Sequence, residues 1–219
     1  MNSEDNIRKI FLIGAGILLV LIIGGLIWAI MSDPGNGDKI DPNITFNDDQ
    51  NPTQGPSDAK VKVRIYSDFQ CPACQVAESV LSEIRTEYRD RVQFIWNDLP
   101  LTSIHQNAAA AALASRCAGQ QGRFWEYADK VFETQEEWEH VSSPRDHFYS
   151  ILEEMGLNQD KFNECLFDEK MMDLVERDFQ EGVSMGLTGT PTFFINRKKI
   201  VGALDAAIWR TELDAALNE

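Results

Sequence analysis

Two cysteines three positions apart, Cys71 and Cys74, constrain the fold of this chain more than any other feature. Residues 60–66 before them alternate between polar and apolar side chains, which predicts a strand. Residues 72–88 after them predict a helix, and Pro72 suits its first position because proline has no backbone N–H to leave unpaired. The two cysteines therefore lie where a strand passes into a helix.

This placement gives the cysteine pair a specific chemistry. Side chains at positions i and i+3 of a helix share one face, so the two sulfurs can form a disulfide. Unpaired N–H groups at the start of the helix favour a thiolate on Cys71. Thiol–disulfide exchange needs such an attacking thiolate and a second thiol that releases it. The pattern predicts a redox-active disulfide, with Cys71 as the catalytic nucleophile and Cys74 as the catalytic resolving thiol.

A zinc site and an inert disulfide are the alternatives for this pair. A structural zinc site needs a second ligand pair at short spacing, whereas Cys117 and Cys165 stand far apart. Gln75 follows Cys74, where covalent haem attachment requires a histidine. The strand and helix around the pair favour redox chemistry over an inert disulfide, and we predict no metal and no cofactor.

The N-terminal region predicts a membrane anchor. Residues 10–31 carry no charged side chain, and as a helix they would span a hydrocarbon core of roughly 30 Å. A cleaved signal peptide is the alternative, but its apolar stretch is usually shorter and ends in small residues, whereas this run ends at Met31. Arg8 and Lys9 predict that residues 1–9 are cytoplasmic and that the domain after the anchor lies outside the cytoplasm. The expected location is the cell membrane, with a single spanning segment.

The rest of the chain divides into a linker and one folded domain. Residues 32–57 are rich in proline, glycine, asparagine and aspartate, which predicts a flexible linker. Residues 58–219 predict an α/β domain in the order β-α-β, a block of helices, then β-β-α. This order indicates a small α/β domain split by a helical insertion at about 103–186. Within the insertion, Ser103 and Gln106 predict a capping box at a helix start.

The charge of the chain limits its partners. Twenty lysines and arginines face 35 aspartates and glutamates, a formal net charge of −15. Nucleic acids and anionic lipid surfaces repel so acidic a protein, so we predict no nucleic-acid partner. Nothing in the sequence indicates a dimerisation domain, and a monomer is expected.

Several segments together resemble the bacterial DsbA-like oxidoreductases, which have the thioredoxin fold. They are SDFQCPAC, NDLPL, AGQQGRFWEY, GTPTFFIN and KIVGA, and the similarity runs from about residue 58 to the C-terminus. The resemblance implies a thioredoxin-like sheet with an inserted helical subdomain. It also implies a cis peptide bond between Thr190 and Pro191 beside the cysteine pair, where the Thr190 backbone binds the substrate peptide. A quinone-linked membrane partner that reoxidises the pair is implied as well.

The chain departs from that family at two places. Many members carry a buried acid six residues before the nucleophile, where this chain has Ile65, and we do not transfer that role to the nearby Asp68. The dipeptide Pro72-Ala73 lacks the histidine of the most oxidising members. We therefore expect a weaker oxidant than those members.

The remaining cysteines and the three histidines have structural interpretations. Cys117 and Cys165 are either buried free thiols or a structural disulfide, and a location outside the cytoplasm favours the disulfide. The histidines show no convergent ligand spacing, and we expect no direct role for them: His105, His140 and His147.

Three functions remain open from the sequence. The first is a dithiol oxidase that introduces disulfides into reduced, exported polypeptides through Cys71 and Cys74. The second is a disulfide reductase or isomerase that runs the same chemistry in reverse. The third is a non-catalytic thioredoxin-like module that binds extended peptides.

Overall fold

The computed structural model describes residues 45–219. Its elements, in chain order, are β1 (Thr53–Gln54), β2 (Val61–Ser67), α1 (Pro72–Tyr88), β3 (Val92–Asp98), α2 (Ala108–Gly119), α3 (Phe124–Glu133), α4 (Gln135–Trp138), α5 (Arg145–Glu154), α6 (Gln159–Leu166), α7 (Glu169–Ser184), β4 (Thr192–Ile195), β5 (Lys198–Val201) and α8 (Ala206–Asn218). The predicted cytoplasmic segment at 1–9, the predicted anchor at 10–31 and the linker residues 32–44 lie outside the described residues. No helix within residues 45–219 is both long and apolar enough to cross a membrane.

One five-stranded sheet organises the domain, in the order β1-β3-β2-β4-β5. The central strands β2 and β3 are parallel, and the other neighbours pair antiparallel. Every residue of β3, and all but one of β2, is buried, because α7 packs against β3, α8 packs against β2, and side chains of α1 belong to the same hydrophobic core. Helices α2 to α7 all fall between β3 and β4. The predicted thioredoxin-like sheet with an inserted helical subdomain is confirmed.

The ends of the helices follow local sequence signals in most places. Gly156 and Gly186 lie just beyond α5 and α7 with φ of +65° and +67°, a left-handed conformation that glycine adopts without steric cost. The capping box predicted at Ser103 is wrong, because α2 begins five residues later with Asn107 at its N-cap. The segment before Asn107 forms turns instead, and its polar groups bind the loop that carries the cysteines.

The prediction of a flexible linker is wrong for residues 45–57. The two residues of β1 pair with Phe94 and Ile95 of β3. Asp48 forms an ion pair with the buried Arg64, at 2.5 Å, and Phe46 packs against Phe194. The polar composition that indicates a linker conceals these few contacts, since each depends on a partner far away in the sequence.

The helical insertion is joined to the sheet by aromatic packing and by buried charges. Phe69 and Trp96 stack with their ring centroids 4.8 Å apart, and Phe132 of the insertion packs against both. Arg116 of α2 forms ion pairs with Asp98 of β3 and with Asp178 of α7. Because all three charged groups are buried, their pairing fixes the insertion against the end of β3.

A disulfide between Cys117 and Cys165 joins α2 to α6 within the insertion, with the two Cα atoms 5.6 Å apart. Both residues are buried, and both belong to the main hydrophobic core. The bridge corresponds to the second of the two interpretations that the sequence left open.

Candidate active site

Cys71 and Cys74 occupy the start of α1, where the parallel strands β2 and β3 end. Cys71 is the N-cap residue, and its backbone oxygen accepts hydrogen bonds from the N–H groups of Cys74 and Gln75. Both thiols are free in this structure. Cys71 is 9% exposed and Cys74 only 1%, so Cys71 is the sulfur that a substrate can reach.

Hydrogen bonds at the helix start make Cys71 an acidic thiol. Its pKa is lowered from 9.0 to about 5, mainly because the Cys74 thiol donates a hydrogen bond to it. Partial burial opposes this change in the pKa, whereas the Thr190 hydroxyl and the backbone N–H groups of Cys74 and Ala73 reinforce it. Cys71 is therefore largely a thiolate at neutral pH, as a nucleophile in thiol–disulfide exchange must be.

Cys74 has the opposite character. Burial raises the pKa of its thiol well above 9.0, and the hydrogen bond and negative charge of Cys71 raise it further. The backbone N–H of Asp68 and the Ser67 hydroxyl act against this increase of the pKa by donating to the Cys74 sulfur. Cys74 thus stays protonated until the Cys71 thiolate has been consumed, as the resolving thiol requires.

Thr190 and Pro191 lie beside the cysteine pair, although they are distant in sequence. The peptide bond between them is cis, as the resemblance implies. The Cys71 sulfur lies 3.5 Å from the Thr190 backbone oxygen, to which it donates a hydrogen bond when it is protonated. The Pro191 oxygen accepts a hydrogen bond from Gly202 just past β5, which fixes the loop before β4. The loop therefore presents main-chain groups directly next to the nucleophile.

A set of buried polar side chains holds the loop at residues 68–71. The Asp68 carboxylate accepts hydrogen bonds from the N–H of Gln70 and of Leu101 and from His105 Nδ1. The Gln70 side chain in turn accepts from the N–H of Asn107 and donates to the backbone of Glu139. This network crosses from the sheet to the helical insertion.

Gln135 completes the support of this loop from α4. Its amide donates to the backbone oxygens of Phe69 and Cys71, at 2.6 and 3.2 Å. This polar network was not predicted from the sequence, because its members lie up to 69 positions apart. One signal was present for Asp68 and His105, since both follow neighbouring parallel strands, whose carboxyl ends meet at one edge of the sheet.

The other histidines lie away from this arrangement. His140 is exposed and faces Glu139, while His147 contacts the Thr134 hydroxyl. Within residues 45–219, no cluster of three or more His, Cys, Asp and Glu side chains could bind a metal ion.

Comparisons with known proteins agree with this geometry. The model of a family described as Thioredoxin matches residues 47–215. The Na(+)/H(+) antiporter NhaA 3 of Salinispora tropica is 34% identical over 184 residues, which cover 82% of this chain and 27% of the antiporter. The antiporter NhaA of Herminiimonas arsenicoxydans is 31% identical over 177 residues, which cover 81% of this chain and 26% of the antiporter. The chain thus spans about a quarter of the length of these curated relatives.

Solved structures show the same fold at lower identity. Alpha-DsbA1 of Wolbachia pipientis superposes with a TM-score of 0.69 at 23% identity, and the match covers 77% of this chain and 91% of the alpha-DsbA1 chain. Oxidised BdbD of Bacillus subtilis gives a TM-score of 0.68 at 24% identity, covering 78% and 94%. The strand–CxxC–helix geometry and the family match lead to one assignment: this chain belongs to the thioredoxin family and has the fold of alpha-DsbA1 and BdbD.

Proposed function

We propose that this protein is a dithiol oxidase that introduces disulfides into exported polypeptides outside the cytoplasm. The observation that carries this proposal is the low pKa of Cys71, about 5 against an ordinary 9.0. A thiolate stabilised at neutral pH lowers the free energy of the reduced protein relative to its disulfide form. The disulfide form is then the stronger electron acceptor, so electrons flow from substrate to enzyme.

The proposed reaction starts from the Cys71–Cys74 disulfide. A substrate thiolate attacks the Cys71 sulfur, the bond to Cys74 breaks, and Cys74 leaves as a thiolate. A second substrate thiolate then attacks the substrate sulfur of this mixed disulfide and releases Cys71. The substrate has lost two electrons and gained a disulfide, and the enzyme holds those electrons as two reduced cysteines.

The loop at Thr190 and Pro191 is the proposed substrate-binding element. The Thr190 oxygen lies at the nucleophile, and an extended peptide can bind main chain to main chain there. Such binding depends little on the substrate's side chains, which suits an enzyme with many substrates.

The remaining parts of the proposal concern the cellular setting. We propose that residues 10–31 anchor the protein in the cell membrane and that its catalytic domain faces outward, because Arg8 and Lys9 precede this uncharged run. We also propose a quinone-linked membrane protein as the reoxidising partner and a monomer as the working form. Protease treatment of intact cells tests the orientation, since only an outward domain is digested while the membrane is closed.

The antiporter relatives support a proposal about this domain and none about transport. Sodium–proton exchange is the activity that the names of those longer proteins give. We infer that the quarter of their length shared with this chain is a thioredoxin domain joined to other segments. From this similarity we take only the proposal that the oxidoreductase domain works close to a membrane.

The direction of electron flow is tested by the reduction potential of the Cys71–Cys74 pair. Equilibration of the full-length protein with glutathione buffers should give a value between about −200 and −120 mV, the range of oxidising and isomerising thioredoxin-fold proteins. A value near or below about −270 mV, together with a reduced pair in cells, would instead establish a reductase. In parallel, the oxidised protein should form disulfides in a reduced, unfolded test protein, and the Cys71→Ser variant should not.

A further inference from the structure

The buried Asp68 side chain connects the cysteine loop to the segment that follows β3. Its carboxylate accepts hydrogen bonds of 2.7 Å from the Gln70 N–H, 2.8 Å from the Leu101 N–H and 2.7 Å from His105 Nδ1. The Asp68 side chain is fully buried, and that of His105 is 17% exposed. One carboxylate therefore fixes its own loop and the 101–105 segment together.

The main chain of the same residue faces both cysteines. The Asp68 oxygen accepts a 3.1 Å hydrogen bond from the Cys71 N–H, and the Cys71 oxygen in turn accepts one of 3.0 Å from the Cys74 N–H. The Asp68 N–H also acts to lower the pKa of the Cys74 thiol, against the larger effect of burial. The Ser67 hydroxyl acts on the same pKa in the same direction, and the Ser67 oxygen accepts a 2.9 Å hydrogen bond from the N–H of Leu99. The two donors at Cys74 thus belong to a short segment that the 99–105 chain holds in place.

Those donors matter most when Cys74 carries a negative charge. In the oxidising direction Cys74 leaves as a thiolate when substrate attacks Cys71, and in the reverse direction it attacks as a thiolate. A buried thiolate is costly unless hydrogen-bond donors are already directed at it. The position of the 67–68 main chain therefore affects the resolving half of the reaction in either direction.

We propose that Asp68 and His105 are positioning residues for the resolving step: their buried pair holds the Ser67–Asp68 segment where the Asp68 N–H and the Ser67 hydroxyl can stabilise negative charge on the Cys74 sulfur. His105 acts through Asp68, and Asp68 acts through its backbone. The inference rests on the proposed dithiol chemistry of Cys71 and Cys74 but not on the direction of electron flow.

The two half-reactions can be separated with dithiobis(nitrobenzoate) and the reduced full-length protein. Cys71 thiolate attacks the reagent and forms a mixed disulfide, which releases a first coloured thionitrobenzoate. Cys74 thiolate then attacks the Cys71 sulfur, closes the Cys71–Cys74 disulfide and releases a second thionitrobenzoate. Stopped-flow absorbance follows both releases, so the first phase measures Cys71 and the second measures Cys74.

The expected result is selective slowing of the second phase. His105→Ala should slow it about tenfold, as loss of a charge-assisted hydrogen bond predicts, while the first phase changes less than about twofold. His105→Gln, whose side-chain N–H can still donate to Asp68, should recover most of the rate. His140→Ala, which removes an exposed histidine, should change neither phase.

Three outcomes would overturn the inference: an unchanged second phase in His105→Ala, equal slowing of both phases, or no recovery in His105→Gln. If His105→Ala does not fold, Asp68→Asn provides the same comparison, because asparagine keeps the shape and the backbone donor but loses the charge. Failure of the proposed chemistry is distinct, since wild-type protein would then release fewer than two thionitrobenzoates.

Discussion

The Cys71 sulfur lies 3.5 Å from the backbone oxygen of Thr190, a residue 119 positions later in the chain. This contact brings the start of α1 together with the loop before β4. It also places the Thr190 hydroxyl in reach of the nucleophile, where it contributes to the low pKa of Cys71. Several measurable properties of the protein depend on this neighbourhood.

Alkylation of Cys71 should follow its ionisation. Because the Cys71 pKa is lowered to about 5, labelling of the reduced protein by iodoacetamide should rise with a midpoint near pH 5. Cys74→Ala should move this midpoint upward, since the hydrogen bond from Cys74 is the largest cause of the low pKa. A wild-type midpoint near pH 9 would remove the basis of the catalytic account, because Cys71 would then ionise like an ordinary cysteine.

Replacing Thr190 by valine should raise the pKa of Cys71 while keeping the shape of the side chain at position 190. The Thr190 hydroxyl is buried and has no hydrogen-bond partner within residues 45–219, so it is available to the Cys71 thiolate, whose pKa it acts to lower. Thr190→Val should raise the Cys71 pKa by about one unit or less, read from thiolate absorbance against pH. Thr190→Ser keeps a hydroxyl and serves as the control. Identical titrations of all three proteins would contradict the role of this hydroxyl.

The Cys117–Cys165 disulfide should stabilise the helical insertion independently of the active site. A bridge that closes a loop of 48 residues contributes about 4 kcal/mol in the chain-entropy model. The double variant Cys117→Ala, Cys165→Ala should lose about that much unfolding free energy in urea while its Cys71 labelling profile stays unchanged. Mass mapping of unreduced, denatured protein that finds both cysteines alkylated would show that the bridge does not form.

Buried Glu78 should make stability depend on pH. Burial raises the Glu78 pKa from 4.5 to about 8, although the positive charge of Arg85 opposes this. Between these two values the folded protein binds more protons than the unfolded chain, so the unfolding free energy should fall as pH rises. The fall should reach up to about 5 kcal/mol, measured on oxidised protein, in which neither Cys71 nor Cys74 titrates.

Two variants separate Glu78 from the other acids near it. Glu78→Gln should reduce the fall in stability between pH 4.5 and 8, because glutamine does not titrate. A smaller fall should remain, since burial also raises the pKa of Asp178, to about 6. Glu133→Gln should leave the pH dependence of stability unchanged. Glu133 lines the same surface cleft as Glu78, but its side chain is 62% exposed. Equal pH dependence in wild type and Glu78→Gln would show that another group is responsible.

Local sequence patterns accounted for the elements that frame the site. Helix α1 covers residues 72–88, as its apolar spacing and Pro72 predict, and the glycines after α5 and α7 end those helices. These features depend on neighbours within a few residues, which a single sequence displays directly. The strand–CxxC–helix arrangement is therefore predictable from the order of the residues alone.

The parts that escaped prediction depend on distant partners. Strand β1 has only two residues and no alternating pattern, and it exists because β3 offers a free edge. The Asp68–His105 pair joins residues 37 positions apart, and nothing local distinguishes His105 from a histidine in an ordinary turn. The sequence thus predicts which residues carry the chemistry better than which residues hold them.

Residues 51–54 lie along β3, where Trp96 donates a backbone hydrogen bond to Pro52 and Asn51 binds Asn97. Unfolded polypeptides contain strand-forming stretches that readily join an open sheet edge and seed aggregates. Because β1 pairs with β3, part of the β3 edge is no longer open. At the other edge of the sheet, Lys198 and Lys199 on β5 disfavour the pairing of a further strand. For the proposed function this means that the domain can contact unfolded chains without itself becoming the template on which they assemble.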